Sequence, residues 1–133
     1  AAYDSALVYN PSNIGALNNY AYYLSVERRN LDKAEEMSYK TVKAESDNAT
    51  YLDTYAWILF EKGNYAEARL YIDDAMKSDG GKSDVIVEHC GDIYYMTGDV
   101  DKALEYWNQA LKIGSKSKTL QEKIRKKKYI SDK

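Results

Sequence analysis

The amino-acid sequence predicts an all-α fold built from stacked pairs of antiparallel helices. Matched residues recur at a spacing of 34 or 35 positions, which is typical of stacked supersecondary units. Within each unit the apolar residues fall at i, i+3, i+4 and i+7, which indicates one face of an α-helix rather than a strand. The matched positions of the first helices are Leu17, Tyr20, Ala21 and Leu24, then Leu52, Tyr55, Ala56 and Leu59, then Val87, Cys90, Gly91 and Tyr94.

A second set of matched residues follows each first helix, so each unit contains two helices. Gly63-Asn64 and Gly98-Asp99 separate the two halves of two units, because Gly ends helices and Asn or Asp begins them. Glu67 follows Asn64 after three positions, which predicts a capping box. The matched positions of the second helices are Ala34, Thr41 and Val42, then Ala68, Ala75 and Met76, then Ala103, Ala110 and Leu111.

The pattern resembles the tetratricopeptide repeat. In that family the first helix carries a large, an apolar, a small and an aromatic residue, and the second carries Ala, an aromatic and Ala. The resemblance covers nearly the whole chain and implies a right-handed superhelical solenoid of antiparallel helix pairs. One departure is Arg29, which stands where Gly63 and Gly98 stand, so the turn of the first full repeat is predicted to be one residue longer and to lack a Gly.

In this frame the chain is one domain spanning residues 1–133. Residues 1–13 are predicted to be the trailing helix of a truncated repeat, residues 14–48, 49–82 and 84–117 full repeats, and residues 118–133 a basic capping helix. The predicted helices lie near residues 1–9, 13–27, 31–44, 49–61, 65–77, 84–96, 100–113 and 117–129.

Composition bounds the class of protein without fixing its compartment. No apolar run approaches the 18 or so residues that a membrane span needs, so no span is predicted. A single Cys cannot form an internal disulfide and indicates neither an oxidising nor a reducing compartment. Because the chain opens in the middle of a repeat, we interpret it as the C-terminal part of a longer, bacterial array, with any leader upstream. Localisation in the cytoplasm or periplasm is left open.

Charge is distributed unevenly along the chain. Residues 1–115 contain 11 Lys or Arg and 19 Asp or Glu, whereas residues 116–133 contain 8 and 2. The basic run at 123–128 is compatible with nucleic acid or acidic lipid. However, Leu120 and Ile124 lie one turn apart beside it, as expected for an end helix that covers the exposed face of the last repeat. We therefore expect a cap over Trp107, Ala110 and Leu111 rather than a nucleic-acid site.

Catalytic and metal-binding interpretations have weak support in the sequence. His89 and Cys90 are adjacent, and adjacent helical residues do not face each other. Glu88, His89 and Asp92 share a helix face, but one His with two carboxylates is a poor metal-ligand set. Residues 80–83 resemble the end of a phosphate-binding loop without its leading Gly and strand. No enzymatic activity, metal or cofactor is therefore predicted.

The resemblance implies a binding surface, because tetratricopeptide first helices line a concave groove. Trp57 and Phe60 lie outside the packing stripe, and exposed aromatics are enriched at binding hot spots. No Lys or Arg stands among the lining residues, so the clamp with which family members hold chaperone C-termini is predicted to be absent. The candidate groove residues are Asn18, Tyr22, Ser25, Asp53, Trp57, Phe60, Glu88, His89, Asp92 and Tyr95.

An acidic, aromatic groove predicts a non-enzymatic interaction module or scaffold. Its partner would be an unidentified protein, or an extended peptide with Lys or Arg beside apolar side chains. Two alternatives remain open at this point. The repeats could be a structural or regulatory segment attached to an upstream catalytic domain, or they could self-associate through the truncated N-terminal face.

Overall fold

The computed structural model describes residues 13–131, and the helix predicted at residues 1–9 lies outside this part of the chain. The described residues form seven α-helices and one short 3₁₀ helix, Gly80–Lys82, with no strand among them. The first six α-helices match the predicted bounds to within one residue. The helices are α1 (Ile14–Glu27), α2 (Leu31–Ala44), α3 (Ala49–Glu61), α4 (Tyr65–Lys77), α5 (Asp84–Met96), α6 (Val100–Ile113) and α7 (Leu120–Lys126).

The helices pack in sequence order into a superhelical solenoid. Each first helix packs on the second helix of its own unit, as α1 on α2, and the second helices α2 and α4 pack on the next first helix. The first helices also contact each other from unit to unit, α1 with α3 and α3 with α5. These three helices therefore form a continuous face of the molecule, as the repeat pattern predicts.

Small polar residues cap the N-termini of the first helices. Asn13, Asn48 and Ser83 each accept a hydrogen bond from the backbone N–H three residues on, at 3.0, 3.1 and 3.3 Å. The capping box predicted at Asn64 is wrong, because the Asn64 side chain makes no capping hydrogen bond.

Left-handed residues form the turns between paired helices. Gly63 and Gly98 adopt φ of +87° and +93°, where glycine carries no side-chain penalty. The first unit lacks such a Gly, as predicted from Arg29. Arg28 and Asn30 adopt φ of 55° and 48° in its place, and a left-handed residue with a side chain costs about 1–2 kcal/mol.

Small residues let the paired helices approach closely. Ala21, Ala56 and Gly91 are buried in the same column of the first helices. A Cβ on Gly91 would collide with the indole of Trp107, which fills the space that a side chain would need. The predicted packing stripe, which includes the buried thiol of Cys90, therefore lies in the core.

The C-terminal helix is shorter than predicted, and the chain continues beyond it. Helix α7 ends at Lys126 instead of extending to residue 129, and Lys127 adopts a left-handed conformation with φ of 54°. The amide of Lys128 then donates to the carbonyl of Lys123 at 3.2 Å, and the chain turns back toward the repeats. Leu111 remains 39% exposed, so the prediction that the cap covers it is wrong.

Within residues 13–131, no helix has both the length and the apolar character that crossing a membrane would require.

Candidate functional site

A cleft of about 670 Å³ lies between the first helices and the C-terminal part of the chain. We call the face formed by α1, α3 and α5 the concave groove, and residues 120–131 the C-terminal segment. Helices α1, α3 and α5 supply one wall of the cleft, and residues 115–119 together with the C-terminal segment supply the other. The lining residues are Tyr22, Val26, Arg28, Trp57, Glu61, Asp84, Val85, Glu88, His89, Asp92, Ser115, Lys116, Ser117, Lys118, Thr119, Lys123, Tyr129, Ile130 and Ser131.

The structure divides the ten predicted groove residues into two sets. Five of them line this cleft: Tyr22, Trp57, Glu88, His89 and Asp92. The other five do not line it: Asn18, Ser25, Asp53, Phe60 and Tyr95.

Most residues of the second set are buried in the packing of the repeats. Phe60 is buried in the core, which corrects the expectation that it lies outside the packing. Ser25 is fully buried and donates to a backbone carbonyl of its own helix at 2.7 Å. Tyr95 is half-buried and stacks on Trp107, with ring centroids 6.0 Å apart. Asn18 is buried, and its carbonyl oxygen has no hydrogen-bond partner among the described residues.

The acidic residues of α5 are paired with a buried lysine. Lys123 of α7 donates from its Nζ atom to Glu88 Oε2 at 2.7 Å and to Asp92 Oδ1 at 2.9 Å, and its side chain is only 2% exposed. The hydroxyl of Ser117 adds a hydrogen bond to Glu88 at 2.9 Å. The expectation that no Lys or Arg stands among the lining residues is therefore wrong, because Arg28, Lys116, Lys118 and Lys123 all line the cleft.

Burial and pairing act against each other at this ion cluster. Burial raises the pKa of Asp92 to about 6, although the nearby Lys123 ammonium acts to lower it. Burial acts to lower the pKa of Lys123, but the carboxylates of Asp92 and Glu88 outweigh it and the pKa is raised. The indole N–H of Trp107 also donates to Asp92 Oδ1 at 3.0 Å. The lysine is therefore held as a cation against a carboxylate that the core itself positions.

His89 forms a second pair in the groove. Its Nδ1 atom lies 2.8 Å from Asp53 Oδ1, and both side chains are about one-tenth exposed. Burial acts to lower the pKa of His89, but the charge and hydrogen bond of Asp53 outweigh it, so the pKa is raised. The imidazole also stacks on Trp57, with centroids 3.9 Å apart.

Aromatic rings connect the second full repeat to the C-terminal segment. Trp57 stacks on Phe60 with centroids 4.4 Å apart, and Phe60 meets the ring of Tyr129 edge-on at 5.2 Å. The ammonium of Lys123 lies 5.2 Å from the centroid of the Tyr129 ring. These contacts hold the C-terminal segment against α3.

A polar contact fixes the far end of the C-terminal segment. Arg28, which follows the last residue of α1, pairs with Glu61 and donates to the hydroxyl of Ser131 at 2.9 Å. Since Lys123 contacts α5 and Tyr129 contacts α3, the segment reaches all three helices of the concave groove or their ends.

The described residues of the site offer no arrangement suited to covalent catalysis. Cys90 is buried, and burial raises the pKa of its thiol, which opposes formation of a reactive thiolate. His89 lines the cleft, where its near neighbours are Asp53 and the ring of Trp57. Among residues 13–131, no three His, Cys, Asp or Glu side chains are grouped as a metal site would need.

Sequence reasoning missed the cleft residues that lie outside the first-helix register. Val26, Arg28, Glu61 and Val85 all line the cleft, and none of them belongs to the predicted set. The sequence alone places Lys123 in a solvated basic run. One available signal is its spacing of three residues from Leu120, which puts both side chains on the same face of a helix.

Comparison with known proteins agrees with this architecture. A tetratricopeptide-repeat family model matches residues 88–116. No curated protein matches the sequence.

Solved structures match over most of the chain. The first tetratricopeptide domain of human RPAP3 superimposes with a TM-score of 0.77 at 14% identity, covering 88% of this chain and 91% of that one. A thermophilic tetratricopeptide protein of Thermus thermophilus, TTC0263, superimposes with a TM-score of 0.75 at 14% identity, and the match covers 94% of this chain and 69% of that one. The first tetratricopeptide domain of Spaghetti (RPAP3), bound to the HSP90 peptide SRMEEVD, superimposes with a TM-score of 0.76 at 14% identity. That match covers 86% of this chain and 89% of that one.

The family model, the stacked helix pairs and these superpositions lead to one assignment. The described residues have the tetratricopeptide-repeat fold, and residues 88–116 match the repeat model of that family.

Proposed function

We propose that this chain is a non-enzymatic interaction module that binds an extended segment of a partner protein in its concave groove. The observation that carries the proposal is the open cleft of about 670 Å³ along the first helices. Its wall includes the exposed side chains of Val26 and Val85 and the half-buried ring of Trp57. Apolar side chains around an aromatic anchor are typical of peptide-binding grooves.

The chemistry of the groove favours a basic and apolar partner. Asp53, Glu61, Asp84, Glu88 and Asp92 lie on the helices of the groove. Four of these carboxylates are paired with His89, Arg28 or Lys123, so a cation of the partner would take the place of one of these groups. The HSP90 peptide SRMEEVD, which is bound by the Spaghetti (RPAP3) domain, is acidic by contrast. We therefore do not propose this chaperone peptide as a ligand.

Selection from a library of random peptides tests the proposal directly. We expect enrichment of sequences that combine Lys or Arg with aromatic or branched apolar residues, and no binding of SRMEEVD.

Two valine substitutions then locate the binding surface. Val85 lies in the first turn of α5 inside the cleft and is 47% exposed, whereas Val100 begins α6 outside it and is 36% exposed. Val85→Lys should weaken a selected peptide at least about tenfold, because it adds a like charge and removes an apolar contact. Val100→Lys should leave affinity unchanged. Equal effects of the two substitutions, or enrichment of acidic peptides, would contradict the proposal.

A further inference from the structure

The C-terminal segment follows a path that a simple end cap does not require. A cap needs to cover only the last repeat, and Leu120 does this by burying its side chain in the core. The segment then crosses the groove. Lys123 contacts α5, Tyr129 contacts Phe60 of α3, and Ser131 accepts a hydrogen bond from Arg28 at the end of α1.

The segment also has the composition that the groove favours. The groups of the segment that enter the groove include one cation, Lys123, and one aromatic ring, Tyr129. The cations that stay exposed on the segment are Arg125, Lys126, Lys127 and Lys128. A basic and aromatic stretch of chain therefore already lies against the acidic and aromatic helices of the groove.

We propose that the C-terminal segment is an intramolecular ligand of the concave groove, and that a partner binds by displacing it. The partner segment would present a Lys followed after about six residues by an aromatic ring, as Lys123 and Tyr129 do. This proposal rests on the proposed function and specifies both the partner chemistry and its regulation.

The pairing of charges in the groove supports competition rather than simultaneous binding. Glu88 and Asp92 are buried, and the ammonium of Lys123 lies within 2.9 Å of each of them. A second cation cannot reach these carboxylates without moving the first. An external ligand that uses them must therefore expel Lys123, and its apparent affinity is reduced by the fraction of molecules in which the segment is bound.

A labelled synthetic peptide with the sequence of residues 118–131 tests the proposal, with full-length chains as its binding partners. In the wild-type chain the internal copy competes, so binding of the labelled peptide should be weak. Tyr129→Ala removes the contacts of its ring with Phe60 and with the Lys123 ammonium but keeps the ion pairs of Lys123, so the peptide should bind about tenfold more tightly. Lys126→Ala is the matched control, since this exposed residue of the same segment should change nothing.

Two further measurements test whether the change in affinity arises from the contacts between the segment and the groove. Arg28→Gln removes the hydrogen bond to Ser131 at the far end of the segment and should shift affinity in the same direction by a smaller factor. A peptide that carries Ala in place of Lys123 should bind the Tyr129→Ala chain at least about tenfold more weakly than the unaltered peptide.

Equal binding of the labelled peptide to the wild-type, Tyr129→Ala and Arg28→Gln chains would overturn the proposal, as would no binding to any of them. Other results distinguish failure of this proposal from failure of the proposed function. A library peptide that binds wild-type and Tyr129→Ala chains equally would refute displacement while leaving groove binding intact. Binding of the C-terminal peptide without any library ligand would support the internal contact and contradict the external partner.

Discussion

Replacement of Lys123 by Met should destabilise the protein strongly. Met approximates the length of the side chain but removes the charge that lies between Glu88 and Asp92. Breaking a buried ion pair by removal of one partner costs about 3–5 kcal/mol, because the remaining charges stay buried and unpaired. This is a large share of the ~5–15 kcal/mol that stabilises a typical domain. Urea denaturation at pH 7, followed by circular dichroism, measures the loss.

The pKa of Asp92 makes the size of this loss depend on pH. Burial raises the pKa of Asp92 to about 6 with Lys123 present, and loss of the ammonium that acts to lower this pKa raises it further. In the variant at pH 5 this carboxyl is therefore protonated, which removes one of the two uncompensated charges. The loss caused by Lys123→Met should therefore be smaller at pH 5 than at pH 7.

Lys62 provides a matched control for this experiment. It also bridges two carboxylates, Asp32 and Glu35, at 2.6 and 2.7 Å, but the Asp32 side chain is 93% exposed. Exposed ion pairs contribute little to stability, so Lys62→Met should change the unfolding midpoint only slightly. Equal effects of the two substitutions at pH 7 would refute the conclusion that Lys123 is held in a buried cluster.

Three further predictions concern single side chains. The pKa of His89 is raised in the folded protein above its unfolded value of 6.5, so protonation of His89 stabilises the fold fully at pH below 6.5. This contribution is lost as the pH rises through the folded pKa. The melting temperature should therefore fall as the pH rises above 6.5, and His89→Gln should make that fall smaller. Gly91→Ala should destabilise by about 1–3 kcal/mol in chemical denaturation because the new Cβ collides with Trp107. Gly81→Ala is its control and should be nearly neutral, because a Cβ there meets only ordinary van der Waals contact. Cys90 should react with a thiol reagent only as fast as the protein opens, and rapid labelling of the folded protein would contradict its burial.

Local periodicity is sufficient to predict the repeat helices. The spacing of Leu17, Tyr20, Ala21 and Leu24 is a property of one helix, and it recurs in each unit. Six helices are located to within one residue for this reason. Small residues such as Ala21 are needed where two helices approach, and this requirement is also local to one unit.

The candidate site is harder to predict because its contacts are distant in sequence. Lys123 pairs with residues that lie 31 and 35 positions away, and Arg28 with a residue 103 positions away. The register of the first helices does not indicate which chain segment returns to them. The same register places Phe60 outside the packing stripe, whereas Phe60 packs in the core against Tyr129 and Trp57.

The most direct test of the account is a nuclear Overhauser measurement between the rings of Tyr129 and Phe60 in the wild-type protein. The two centroids lie 5.2 Å apart, and Phe60 is the only Phe in the chain, which simplifies its assignment. The account predicts clear cross-peaks between the two rings, and their loss when a groove-binding peptide is added. Absence of these cross-peaks in the free protein, together with random-coil shifts for Tyr129, would contradict the placement of the C-terminal segment in the groove.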